Sequence, residues 1–81
     1  MTHSEITERL QIIFTNVFSA PDIQVTDDLN AEKVDRWDSL THLTMIAEVE
    51  NEFGVKFKLK ELISMKNVGD MIRLIIEKKQ A

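Results

Sequence analysis

The chain has 81 residues, 43% of them apolar, and a net charge of −4 at pH 7, which suits one small domain near the lower size limit for a self-sufficient core. It has no cysteine and two histidines, which excludes disulfide staples, thiolate metal sites and a cysteine nucleophile, and leaves too few imidazoles to hold zinc without carboxylate help. No apolar run approaches the ~20 residues needed to cross a bilayer; the N-terminal stretch, broken by His3, Glu5 and Glu8, has no signal-peptide pattern, so a cytoplasmic protein without membrane insertion is expected.

Two glycines and one proline in a chain rich in Leu, Ile, Glu and Lys favour helices over strands. The charge is unevenly distributed. Residues 22–52 carry nine acids against Lys33 and Arg36, a net of −7, whereas residues 53–81 carry seven bases against three acids, a net of +4. An acidic centre suits a basic protein partner and repels nucleic acid backbones, although any single charge is better explained as solvated surface.

A first helix is expected from about Ser4 to Phe18, with Ile6, Leu10, Ile13, Phe14, Val17 and Phe18 on one buried face. Thr2 and Glu5 have capping-box spacing and Ser4 is an alternative cap; Pro21 lies beyond the end. From Ser19 to Trp37 no period is sustained. This long first loop is expected to be functional or to hold a short helical turn, with Ile23, Val25, Leu29 and Val34 pinning it to the core. Its acids do not make a calcium loop: counted from Asp28, Lys33 stands where glycine is required and Ser39 where the bidentate glutamate belongs.

A second helix is expected from Asp38 to Phe53, closed by Gly54 in a left-handed conformation. At about 100° per residue, Leu40, Leu43, Ile46, Ala47, Val49 and Phe53 share one half of the wheel, and Thr41, Thr44, Met45, Glu48, Asn51 and Glu52 the other. Ser39 falls on the apolar azimuth but in the first turn, at the mouth of any cavity between the helices. The alternating Val55-Lys56-Phe57-Lys58-Leu59-Lys60 resembles a strand, but without a second convincing strand it reads as an extended connector. A short third helix over Leu59–Met65 would bury Leu62 and Ile63. Asn67, with Asp70 three residues on, caps a last helix bearing Val68, Met71, Ile72, Ile75 and Ile76, with Lys78 and Lys79 complementing its dipole. The fold class is therefore all-α: a small bundle of three main helices and one short one, a single domain over residues 1–81. Its expected core includes Phe14, Phe18, Ile46, Phe53, Phe57, Ile63 and Met65.

The chemistry-bearing stretch is Val34-Asp35-Arg36-Trp37-Asp38-Ser39-Leu40-Thr41-His42-Leu43. Asp38 is a favourable N-cap, and Ser39 then presents a hydroxyl at the positive end of a helix dipole, a setting that favours a phosphate ester. Asp38, Ser39 and His42 do not make a hydrolytic triad. Asp38 as a cap cannot also orient the imidazole, and no nucleophile elbow or oxyanion loop is present. His42 reads as a surface or rim residue. Taken alone, Asp38-Ser39 is an ordinary helix start.

The surroundings of Asp38-Ser39-Leu40 make it specific. Chain length, helix order, the long first loop, Glu50-Asn51-Glu52-Phe53-Gly54-Val55, the short third helix and Asn67-Val68-Gly69-Asp70 together resemble the acyl carrier protein family over nearly the whole chain. The resemblance implies a carrier of acyl or aminoacyl thioesters, not an enzyme. A phosphopantetheinyl transferase would move 4′-phosphopantetheine from coenzyme A to Ser39, with Asp38 in the transferase's recognition motif. The imported thiol agrees with the absence of cysteine. Loading and downstream biosynthetic enzymes would dock on Leu40 and along helix two, giving Trp37, Leu40, Thr41, Leu43, Thr44, Ala47 and Glu48 as candidate partner-binding residues on a monomer.

The sequence also departs from carriers of the fatty-acid-synthesis type. Thr41 and Thr44 are neutral where acids are usual, Trp37 replaces a small residue, and Lys56, Lys58 and Lys60 make the connector basic. Since helix-two charge guides partner choice, these departures point to a discrete carrier from a specialised pathway. Trp37 either packs across the loop onto the bundle or faces a partner. The alternative function is an unmodified binding module of the same fold that recruits a basic partner through its acidic surface.

Overall fold

Thr2 sets the start of the first helix: its hydroxyl accepts the Glu5 N–H at 3.2 Å while Oε1 of Glu5 accepts the Thr2 N–H at 3.1 Å, a reciprocal capping box that satisfies two free donors. In the computed structural model, which describes residues 2–80, α1 runs His3–Phe18, α2 Ser39–Phe53, α3 Leu59–Ser64 and α4 Val68–Gln80. Among the described residues there is no strand; residues 55–58 are the expected extended connector. α1 packs against both α2 and α4. The buried face of α1, namely Ile6, Leu10, Ile13, Phe14 and Phe18, is the spine of the core. Phe14 is fully buried, so truncating it to alanine would remove about 3–5 kcal/mol, a large part of a small domain's stability.

The long loop between α1 and α2 is held at several points. The Gln11 amide donates to the Ile23 carbonyl at 2.7 Å and accepts the Val25 N–H at 3.0 Å, standing in for the partner strand this segment lacks. Val25, Leu29 and Val34 are buried, with Ile23 packed beside them. A 3-10 turn over Ala31–Lys33, capped by Asn30, shortens the irregular stretch. The start of α4 also holds the loop: the Val68 and Gly69 N–H groups donate to the carbonyls of Leu29 and Asp27 at 2.9 and 2.8 Å. Gly69 permits that approach, since a Cβ there would lie 3.1 Å from the Asp27 carbonyl oxygen.

α2 differs from the sequence reading in rotation, not in extent. Its buried residues are Met45, Ile46, Val49 and Phe53, so Met45, expected on the solvent half, is fully buried. Leu40 and Leu43, expected on the core half, are 74% and 60% exposed, and Ala47 is exposed as well. The core seam lies about a quarter turn from the expected one. Hydropathy alone cannot choose between a seam containing two leucines and one containing a methionine. The choice is made by α1, whose fully buried Leu10 and Phe14 take Met45 and Val49 into the same core. In α3, Leu62 is only partly buried and Ile63 is 75% exposed. A six-residue helix has too little surface to bury two neighbouring apolar residues, and Leu62 takes the inner side.

At the chain's second half, Gly54 closes α2 at φ +65° and Asn67 Oδ1 accepts the Asp70 N–H at 2.9 Å. Lys78 and Lys79 do more than complement a dipole. Lys78 pairs with Glu61 at 2.8 Å, and Lys79 donates to the Phe53 carbonyl at 3.0 Å, so the end of α4 secures α3 and the C-terminus of α2.

Candidate functional site

The site is built at the point where the loop becomes α2. Asp38 has extended backbone, and its carboxylate accepts the Thr41 N–H at 2.9 Å while the Thr41 hydroxyl accepts the Asp38 N–H at 2.8 Å. The Thr41 hydroxyl also donates to the Arg36 carbonyl at 2.6 Å. The Thr41 N–H first, and its hydroxyl 3.2 Å from Oδ1 second, hold the Asp38 carboxyl below its ordinary value of 3.8. The cap is therefore charged at neutral pH and complements the positive end of α2.

Ser39 follows as the first residue of α2 and is exposed. Its neighbours' hydroxyls are committed: that of Thr41 to the cap, that of Thr44 to the Leu40 carbonyl at 3.2 Å. Among the described residues, Ser39 is the hydroxyl of this turn left without a side-chain hydrogen bond. It sits on an open groove of about 520 Å³ whose walls are Ala31, Trp37, Asp38, His42 and Leu43. Ser39 thus lines an open groove between the loop and α2, not the expected mouth of a cavity between the helices.

Trp37 packs onto the bundle. Its ring lies edge-on to Phe14 with centroids 5.3 Å apart and tilted against Phe18 at 5.6 Å, while its Nε1–H donates to His42 Nδ1 at 3.0 Å. The same indole forms a groove wall beside Ser39. His42, expected as a surface or rim residue, lines the same groove. It is half-buried, and burial pushes its pKa below the ordinary 6.5. The available signal was the i, i+5 spacing from an indole donor, which becomes meaningful only once the loop's path is known.

Of the other candidate residues, Leu40, Leu43, Thr44, Ala47 and Glu48 are exposed on α2. Leu43 lines the Ser39 groove, and Thr44 and Glu48 line a separate one against α1 near the Arg9–Glu52 ion pair. A further groove of about 480 Å³ surrounds His3, Asp27, Asp70 and Arg73, remote in chain position from Ser39; there His3 Nε2 lies 2.8 Å from the Asp27 carboxylate and Arg73 pairs with Asp70 at 2.6 Å. Among the described residues no three His, Asp or Glu side chains converge to hold a metal ion.

Comparison with known proteins agrees with this geometry. Residues 8–75 match the family described as "Phosphopantetheine attachment site". The chain is 39% identical over 59 residues to an acyl carrier protein of Chloroherpeton thalassium, covering 73% of this chain and 66% of that one. It is 32% identical over 84 aligned positions to an acyl carrier protein of Thermosynechococcus vestitus, covering 96% of each. The solution structure of holo acyl carrier protein from Geobacter metallireducens superposes with a TM-score of 0.86 at 38% identity, covering 91% of this chain and 85% of that one.

Proposed function

This chain belongs to the phosphopantetheine-attachment family of acyl carrier proteins, and from that premise we propose that Ser39 is its attachment point. It is a carrier of acyl thioesters, not an enzyme, and it works with a phosphopantetheinyl transferase and biosynthetic enzymes. The observation that carries the assignment is the uncommitted, exposed Ser39 hydroxyl at the N-terminus of α2, flanked by threonines whose hydroxyls are already bonded. The first-turn N–H groups and the helix dipole favour a phosphodiester there. Loading would join Ser39 Oγ to the phosphorus of the pantetheine phosphate as the diphosphate P–O bond of coenzyme A breaks, with adenosine 3′,5′-bisphosphate as the leaving group and the hydroxyl proton released. The bound group supplies the thiol that this cysteine-free chain lacks. The chain's own part is to fix the ester's position through the Asp38–Thr41 cap and to present it beside the Trp37–Leu43 groove. Tethering then raises the cargo's effective concentration at each partner.

Asp38 is assigned to transferase recognition as well as capping. The partner surface is assigned to exposed Leu40, Leu43, Thr44, Ala47 and Glu48 with Trp37 and Thr41 at its edge; the exposure of two leucines on a core-forming helix supports this. Acyl or aminoacyl cargo of a specialised pathway is favoured by neutral Thr41 and Thr44, by Trp37 and by the lysine-rich connector, all of which change the field and shape that a partner meets. On this reading residues 1–81 act as one domain, a monomer in the cytoplasm, where coenzyme A is available. Incubation with coenzyme A and a broad-range transferase, followed by intact mass measurement, tests the assignment. The wild type should gain one phosphopantetheine and Ser39→Ala none. A wild type that gains nothing, while Ser39→Ala retains biological function and charge reversal at Glu48 and Glu52 abolishes it, would establish the unmodified binding module instead.

A further inference from the structure

α3 carries two of its apolar residues on the outside. Leu59 and Ile63 are 73% and 75% exposed on a helix of six residues, and positions four apart share a helix face. Leu62 and Met65 pack against the core instead. Lysines border the exposed pair: Lys56 and Lys58 precede it on the connector, Lys60 lies within it and Lys66 follows it, all four exposed. Among the described residues none of the four makes an ion pair. Glu61, the only acid over residues 55–66, is committed elsewhere. Its carboxylate pairs with Lys78 at 2.8 Å and accepts the Lys58 N–H at 2.7 Å. The patch therefore keeps its positive charge, on a chain whose net charge is −4.

We infer that this face of α3 is a docking surface for a protein partner that sets carboxylates around an apolar socket. Leu59 and Ile63 fill the socket, and the lysines meet the carboxylates. A single exposed leucine needs no explanation, but an apolar pair bordered by unpaired charge of one sign lets burial and charge complementarity act at one place. Nucleic acid phosphates would meet the lysines, yet they would leave the apolar pair wet, and the acids of residues 22–52 repel them. An anionic membrane meets the same repulsion, and its hold scales with buried apolar area, of which a six-residue helix offers little. The patch also adjoins α2 and the loop: Lys56 lines a groove with Ala47 and Asn51, and Lys66 lines a small crevice with Trp37 and His42. The inference goes beyond the carrier reading and holds whether or not Ser39 is modified.

The test titrates the isotope-labelled full chain with a synthetic helical peptide that carries a leucine stripe bordered by glutamates, and with a twin in which lysines replace the glutamates. The glutamate peptide should move the amide shifts of residues 58–66. It should bind about tenfold tighter than its twin at low salt, and raising the salt to about 0.5 M should shrink that preference to about twofold. Lys60→Glu combined with Lys66→Glu should reverse the preference. Leu59→Ser combined with Ile63→Ser should weaken the glutamate peptide by about tenfold and keep its advantage over the twin. All four positions are exposed, so helical circular dichroism should be unchanged in both variants. Twins of equal affinity, shifts confined to α1 and α2, no shift at all with the glutamate peptide, or a preference that survives the lysine reversal would each overturn the inference. So would cosedimentation with phosphatidylserine vesicles that the lysine reversal abolishes, which would make this face a membrane contact.

Discussion

Trp37 donates its indole N–H to Nδ1 of His42 at 3.0 Å, with the two ring planes within 17° of parallel. An indole N–H only donates, so Nδ1 must present its lone pair and the proton of the neutral imidazole lies on Nε2. One hydrogen bond thereby fixes the protonation state of a side chain three residues from Ser39, and ties the end of the loop to the first turn of α2.

Acid should break that bond. Burial holds the His42 pKa below 6.5, and protonation at Nδ1 sets two donors against each other; Lys66 lines a small crevice shared with His42, and Asp38, on the groove side, is committed to the cap. Because the folded value is depressed, the stabilisation from the neutral ring is complete above 6.5 and is lost as pH falls through the folded pKa. Trp37 fluorescence should titrate with a midpoint below 6.5, and His42→Phe should flatten the curve. A midpoint at or above 6.5, or a titration that survives the substitution, contradicts this.

The two threonines of α2 should behave differently. Thr41→Val removes a hydroxyl bonded to the Asp38 N–H and the Arg36 carbonyl, and should lower stability in urea by about 1 kcal/mol. Thr44→Val removes only a bond to the Leu40 carbonyl within its own helix and should stay within about 0.5 kcal/mol of the wild type. Equal losses would mean that the reciprocal cap carries no special weight.

The two glycines serve unlike purposes. At Gly54 an added Cβ meets nothing within 4 Å, so Gly54→Ala should cost about 1 kcal/mol from the left-handed backbone alone. At Gly69 an added Cβ crowds the Asp27 carbonyl oxygen at 3.1 Å, while alanine's helix preference offsets part of the cost, by about 1 kcal/mol. The decisive readout there is amide chemical shifts: Gly69→Ala should move those of Asp27 and Leu29, and Gly54→Ala should leave them in place.

Much of this was legible in the sequence because local rules and tertiary packing agree. The extent of α2 follows from Asp38 and Gly54, a cap and a left-handed terminator. The site's core, Asp38-Ser39, follows from the same capping logic, and the family from the motifs around it. The rotation of α2 was not legible, because Leu40, Leu43 and Ala47 have the hydropathy of core residues and only the face of α1 decides which side is buried. Ile63 was misplaced for the same reason. His42 reads from the sequence as a rim residue and does line the groove, but its bond to Trp37 depends on the indole folding back over Phe14 and Phe18, a tertiary fact that no periodicity encodes.

The most direct measurement concerns where the prosthetic group sits. Trypsin, cutting after Arg36 and Lys56, releases the segment Trp37–Lys56, in which Ser39 is the only serine and Thr41 and Thr44 are the competing hydroxyls. After loading from coenzyme A, fragmentation of that peptide should place a single 4′-phosphopantetheine on Ser39. A peptide that carries the group on Thr41 or Thr44, or remains unmodified while another segment gains the mass, would contradict the assignment of Ser39 as the attachment point.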